Sequence, residues 1–107
     1  MNIKTSFAEG TLRFIFEGEL DHHAARGAVS DIEAGIGAYM PADCVLDFGR
    51  LTFMDSSGIA VVLKAYRRMG EVGGKISVEN VGKQPLRVLD AAGIDRLVKI
   101  SMTVREA

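Results

Sequence analysis

Residues 44–63, CVLDFGRLTFMDSSGIAVVL, constrain this chain more than any other stretch: an apolar strand, a short polar turn and a helix follow one another directly. Cys44, Val45, Leu46 and Phe48 form an almost continuous apolar run, the pattern of a strand covered on both faces, which predicts the centre of a sheet. Asp55, Ser56, Ser57 and Gly58 are helix N-cap types, and Ile59, Val62, Leu63 and Tyr66 then recur at helical spacing. Two serine hydroxyls are thereby placed at the positive end of a helix. There the first N–H groups lack intrahelical acceptors, and the dipole adds about half a positive charge. An anion is welcome in such a place. Either these residues are a cap and a turn and no more, or one serine is built to carry a phosphate; the choice needs support from the rest of the chain.

Before this stretch, Ile3, Thr5 and Phe7 alternate with polar or small neighbours, and Leu12, Phe14 and Phe16 do so again after Glu9 and Gly10. This predicts an antiparallel hairpin with one buried face. Gly18 breaks the pattern and opens a turn that reaches His23. Asp21 can cap a helix whose Ala25, Val29, Ile32, Ile36 and Tyr39 fall at intervals of four and three. Gly35 and Gly37 weaken its last turns by about 1 kcal/mol each relative to Ala, and Pro41 stops it. In the second helix, Lys64, Arg67 and Arg68 suit the negative C-terminal end, and Gly70, Gly73 and Gly74 follow. Lys75 to Glu79 is a further strand. Pro85 is the expected first residue of a third helix, with Leu86, Leu89 and Ala92 on its buried side and Gly93 as its stop. Leu97, Val98 and Ile100 make the last strand.

Strands separated by helices predict parallel pairing with right-handed crossovers. The expected architecture is a single α/β domain over residues 1–107: a mixed, mostly parallel sheet with an N-terminal antiparallel hairpin and helices packed against it. In such sheets, ligands and partners meet the loops beyond the carboxyl ends of the strands. The turn holding Ser56 lies at that edge, and the turn from Gly18 to His23 is the second candidate for it.

Composition narrows the function classes. Thirteen Lys plus Arg nearly balance fourteen Asp plus Glu, so there is no global basic field to hold nucleic acid or an anionic membrane, and partners must be recognised locally. Cys44 has no other cysteine to pair with, and its apolar strand predicts a buried thiol in a reducing compartment. The residues MNIKTSFAEG show no basic start followed by an apolar stretch, and the longest apolar run, Ile59 to Leu63, is far shorter than the roughly 20 residues that span a bilayer. The expected location is the cytoplasm.

Catalytic and cofactor motifs fail one by one. A hydrolase elbow, G-x-S-x-G, would need Gly where Met54 and Ile59 stand. His22 and His23 are adjacent, and helical rotation points them apart, so at most one could serve as a base. GEVGGK and the GK at Gly82 lack the spacing of a phosphate-binding loop. One Cys and two neighbouring His offer no spaced ligand set for a metal, and no cofactor is expected. Asp47, closing the central strand, is expected to hydrogen-bond nearby loop backbone.

LDFGRLTFMDSSG followed by an apolar helix resembles the STAS domains of bacterial anti-sigma factor antagonists, and GELDHHA at Gly18 to Ala24 resembles the corresponding turn in the sporulation branch of that family, the anti-sigma F factor antagonists. With the strand order, the similarity covers nearly the whole chain. DSSG alone is a weak signal; FMDSSG at this place together with GELDHH is a strong one.

The resemblance implies a non-enzymatic protein phosphorylated on Ser56 by a partner that is both anti-sigma factor and ATP-dependent serine kinase, and that it meets in an ATP- or ADP-bound state. The unphosphorylated form binds that partner and frees the sigma factor, the phosphorylated form lets go, and a metal-dependent serine phosphatase resets the switch. Neither nucleic acid nor membrane is a direct partner. It also implies a partner-facing surface of Gly18, Glu19, Asp21 and His22 beside Asp55, Ser56, Ser57 and Gly58, with Asp21 the first candidate for a charged contact. Ile59 and Ala60 stand where many members have Leu and Gly, and SMTVREA is short for the family's last helix. Two other readings remain open on the residues alone: a STAS accessory subunit of a membrane transporter, and an enzyme with Ser56 as nucleophile.

Overall fold

The N-terminal hairpin closes through Glu9 and Gly10, both at positive φ (51° and 82°). That is the tight turn whose twist matches its strands, and glycine takes it without strain. The computed structural model describes residues 1–103. Its elements are β1 (Asn2–Ala8), β2 (Thr11–Leu20), α1 (His22–Tyr39), β3 (Asp43–Met54), α2 (Ser57–Glu71), β4 (Lys75–Val81), α3 (Lys83–Ala91), a 3-10 turn (Ile94–Arg96) and β5 (Lys99–Met102). The end of the SMTVREA segment, residues 104–107, lies outside the described residues.

The strands form one sheet in the order β1-β2-β3-β4-β5. β1 and β2 are antiparallel, and every later pair is parallel. β3 is the central strand, as its apolar run predicts. Because the order from β2 to β5 advances steadily, right-handed crossovers put all three helices on one face. The core lies between that face and the helices: Leu12, Phe14 and Phe16 of β2, Cys44, Leu46 and Phe48 of β3, Ile32 and Ile36 of α1, Val61, Val62, Ala65 and Met69 of α2. Phe16 meets Phe48 edge to face, with centroids 5.1 Å apart.

The expectation of a central strand covered on both faces is corrected. Val45 is buried but stands outside the core cluster, on a face paved with ion pairs. Arg13 bridges Asp47 at 2.9 Å and Glu79 at 3.0 Å, and Glu17 pairs with Arg50 at 2.7 Å. Asp47 sits within β3 instead of closing it. Its carboxylate accepts from the backbone of Gly49 at 3.0 Å, a strand residue and not the loop expected, and also from Arg13 and from Asn80 at 3.1 Å.

Several boundaries move. Gly18 is inside β2, at φ 105° beside a register shift, and the strand runs on to Leu20. β3 continues through Gly49–Phe53, where a turn was expected, because Arg50–Met54 pair with Glu17–Leu20. α3 begins at Lys83, two residues before Pro85, and Ala92 is its exposed C-cap. A 3-10 turn and the exposed Leu97 take the start of the expected last strand, so β5 begins at Lys99. The hairpin buries one face of β2 only; Thr5 and Phe7 of β1 are exposed. Tyr39 and Tyr66, expected in apolar stripes, are 48% and 38% exposed, and Ala28, Val61 and Ala65 take the buried positions nearby.

Candidate functional site

Leu20 and Met54 are register partners at the carboxyl ends of β2 and β3. The segments that follow them, each opening a helix, therefore emerge side by side. One is Asp21–His22 at the start of α1, the other Asp55–Ser57 at the start of α2. The structure thus brings together the two turns that the sequence marked separately, at the sheet edge where α/β proteins receive ligands and partners.

Two aspartates organise this corner. Asp21 is the N-cap of α1, its Oδ1 accepting from the Ala24 backbone N–H at 3.0 Å. Asp55 reaches both helices: its Oδ1 accepts from the Ser57 N–H at 2.8 Å, its Oδ2 accepts from the His22 N–H at 3.2 Å, and its own N–H donates to the Leu20 carbonyl at 3.2 Å. One carboxylate thus serves two helix N-termini, where negative charge is favoured.

This decides among the candidate cap residues. Ser56 occupies the N-cap position of α2 but has helical backbone angles (φ −63°, ψ −18°) and makes no side-chain cap bond. Asp55 does the capping. Ser56 is exposed, and its hydroxyl is left uncommitted to the helix end; Ser57 is half-buried. The first amides of α2 are also engaged, Ser57 by Asp55 Oδ1, Gly58 by the Asp55 carbonyl at 3.0 Å and Ile59 by the Ser56 carbonyl at 3.1 Å. A negative group on Ser56 would therefore feel the helix dipole from a solvent-exposed position, without a set of vacant N–H donors to sit in.

The other expected partner-surface residues fall as follows. Glu19 and His22 are exposed, and Gly18 and Asp21 are half-buried. Gly18 has its carbonyl taken by Thr52 Oγ1 at 3.1 Å. Gly58 is buried, which removes it from any accessible surface: a Cβ there would lie 2.5 Å from Met54 Cγ and 3.2 Å from Leu20 Cδ2. Its service is to let α2 start directly on the ends of β2 and β3. The rings of His22 and His23, expected to diverge, lie edge to face with centroids 5.6 Å apart; both residues are exposed. An open depression of about 430 Å³ beside them is lined by Met1, Glu19, Asp21, His23 and Ala24.

One residue of this corner escaped sequence reasoning. Gln84, in the first turn of α3, accepts from the Met54 N–H through Oε1 and donates to the Met54 carbonyl through Nε2, both at 2.8 Å. Its partners are backbone groups 30 residues away, so no side-chain pattern announces the contact.

The family model for the STAS domain matches residues 2–107. The chain belongs to the STAS domain family. Among curated proteins it is 31% identical, over 100 residues, to the anti-sigma F factor antagonist of Paenibacillus polymyxa, an alignment covering 94% of this chain and 86% of the relative. Among solved structures, this STAS domain superposes on the anti-sigma factor antagonist SpoIIAA in its unphosphorylated form with a TM-score of 0.72 and 25% identity, covering 97% of this chain and 90% of that one. On the Bacillus cell fate determinant SpoIIAA in its phosphorylated form the TM-score is 0.72 at 27% identity, covering 92% and 90%. Architecture and family therefore agree with the reading of the FMDSSG and GELDHH segments.

Proposed function

We propose that this STAS protein is an anti-sigma factor antagonist, that its partner is an anti-sigma factor with serine kinase activity, and that phosphorylation of Ser56 switches the pairing off. The observation that carries the reading is the Asp55 clasp, which fastens both turns and caps α2 while leaving the exposed Ser56 uncommitted. In phosphoryl transfer, nucleotide, metal ions and charge-stabilising groups can all belong to the kinase. The substrate needs only a positioned hydroxyl. Ser56 Oγ attacks the γ-phosphorus of ATP, ADP leaves, and the hydroxyl proton passes to a base on the kinase.

Glu19, Asp21 and Asp55 make the unmodified corner acidic, which suits a partner with basic groups facing it. A phosphate adds roughly −1.5 to −2 charges, taking the formal net charge from −1 to about −3, beside a carboxylate whose oxygens already have their donors. Repulsion or steric blocking worth about 3 kcal/mol weakens binding by roughly a hundredfold, enough for a switch without refolding. A metal-dependent serine phosphatase would reverse it, in the cytoplasm where ATP and sigma factors meet. SpoIIAA, known in unphosphorylated and phosphorylated forms, supports the reading.

The test is to incubate the chain with its cognate anti-sigma kinase and ATP and to map the modified residue by mass spectrometry. A single phosphate on Ser56, absent from Ser56→Ala, is expected. Modification at Ser57 or elsewhere, or none, contradicts the proposal.

A further inference from the structure

β3 and β4 pair only from Asp43 and Lys75 to Asp47 and Glu79. At Asn80, φ 59°, β4 turns away, and its next register partner is Met102 of β5 at Val81. The last part of β3 is thus paired along the β2 side alone, just before the strand delivers Asp55 and Ser56. At its final residue the gap is closed by one side chain. The carboxamide of Gln84 meets both the N–H and the carbonyl of Met54 at 2.8 Å, a donor and acceptor pair equivalent to a peptide group. It does for Met54 what a neighbouring strand would do.

Gln84 is itself firmly based. It lies in α3 between the helix's start at Lys83 and the buried Pro85, with Leu89 in the core one turn on, and the Leu86 N–H returns to the Gly82 carbonyl at 3.0 Å. Met54 is consequently held on three sides: its side chain is fully buried, its backbone is doubly bonded by Gln84, and the next N–H, that of Asp55, donates to Leu20. Ser56 is two residues beyond this anchor.

We propose that Gln84 is a positioning residue for Ser56: by standing in for the missing strand neighbour at Met54, it fixes the corner from which the hydroxyl attacks the γ-phosphoryl group of the kinase's ATP. This rests on the reading of Ser56 as the phosphate acceptor. Small displacements of a reacting atom cost rate steeply, up to about a hundredfold for roughly 1 Å, and they do so in turnover and not in substrate binding.

Two variants test it. Gln84→Met keeps length and volume without either polar atom. Gln84→Glu keeps an acceptor for the Met54 N–H but sets a second oxygen against the Met54 carbonyl, and it decides the matter if the first variant does not fold. Hydrogen exchange should accelerate about tenfold or more at Met54 to Ser57 while amides of the β2 and α2 core keep their rates. With the anti-sigma kinase and Mg-ATP, kcat for Ser56 should fall about tenfold with KM within about twofold. Wild-type exchange at Met54 with wild-type kcat overturns the inference, and so does acceleration spread evenly over the whole chain. If the kinase leaves wild-type Ser56 unmodified, the proposed function falls, and local exchange at Met54 to Ser57 alone decides whether Gln84 holds the corner.

Discussion

Asp55 shows how a single carboxylate can define a site. It satisfies one amide from each of two helices and takes the capping role for which Asp55, Ser56 and Ser57 were all candidates. The sequence DSSG marked the corner correctly but could not assign the roles, since Asp and Ser are equally good cap residues and only the geometry separates them. Cys44 was fully legible: a lone thiol in an apolar run, and fully buried in the core. Burial pushes its pKa from 9.0 up to about 12. A raised acid pKa means that the native state keeps its proton while the unfolded chain gives one up. This contribution to stability is present below about pH 9 and is lost as pH rises toward 12. Thiol-specific alkylation at about pH 8 should therefore be negligible in the native protein and rapid in denaturant, because the thiolate is the reactive form. Rapid native labelling would show that Cys44 is reachable and ionised.

At the scale of elements, helix–sheet spacing is set by glycines whose job is invisible in one dimension. Gly35 and Gly37 read alike in sequence, as weak points near the end of α1. A Cβ at Gly35 would lie 2.8 Å from Cζ of the buried Phe14, whereas at Gly37 the nearest atom is Arg68 Nη2 at 3.5 Å. Gly35→Ala sets overpacking of about 1–3 kcal/mol against a helix-propensity gain of about 1 kcal/mol. Gly37→Ala brings the gain alone. Calorimetry should find the first variant less stable than wild type and the second equal or more stable; the reverse order would contradict the packing described. Gly58→Ala meets Met54 even more closely and should also destabilise.

Strand ends were the least legible feature for a related reason. Arg50 to Phe53 alternate polar and apolar residues over one short stretch behind Gly49, too little to announce a strand, yet they are strand because β2 continues beside them. Pairing, a long-range property, overrode local pattern. The helix stripes were right in period but rotated by part of a turn, so Tyr39 and Tyr66 came out at the rim; Tyr39 there stacks on Phe7, centroids 4.6 Å apart.

Across the whole molecule, the sheet divides the labour. One face and three helices hold the apolar core, while the opposite face is laced by ion pairs such as Lys4–Glu17–Arg50. The Arg50 hydrogen bond lowers the pKa of Glu17, but exposed pairs of this kind contribute little to stability. Among the described residues, no helix is long and apolar enough to cross a membrane. Ser56 itself is exposed and lies outside the buried cluster. A charge added there should accordingly alter what the protein binds and leave its architecture intact.

The most direct test is a titration of the anti-sigma factor with two forms of this protein, unmodified and phosphorylated on Ser56, alongside amide chemical shifts of both. The account predicts affinity weaker by roughly a hundredfold for the phosphorylated form, with shift changes confined to the segments around Gly18–His23, Met54–Ile59 and Gln84. Equal affinity of the two forms, or shift changes spread through the β2–β3–α2 core, would contradict it.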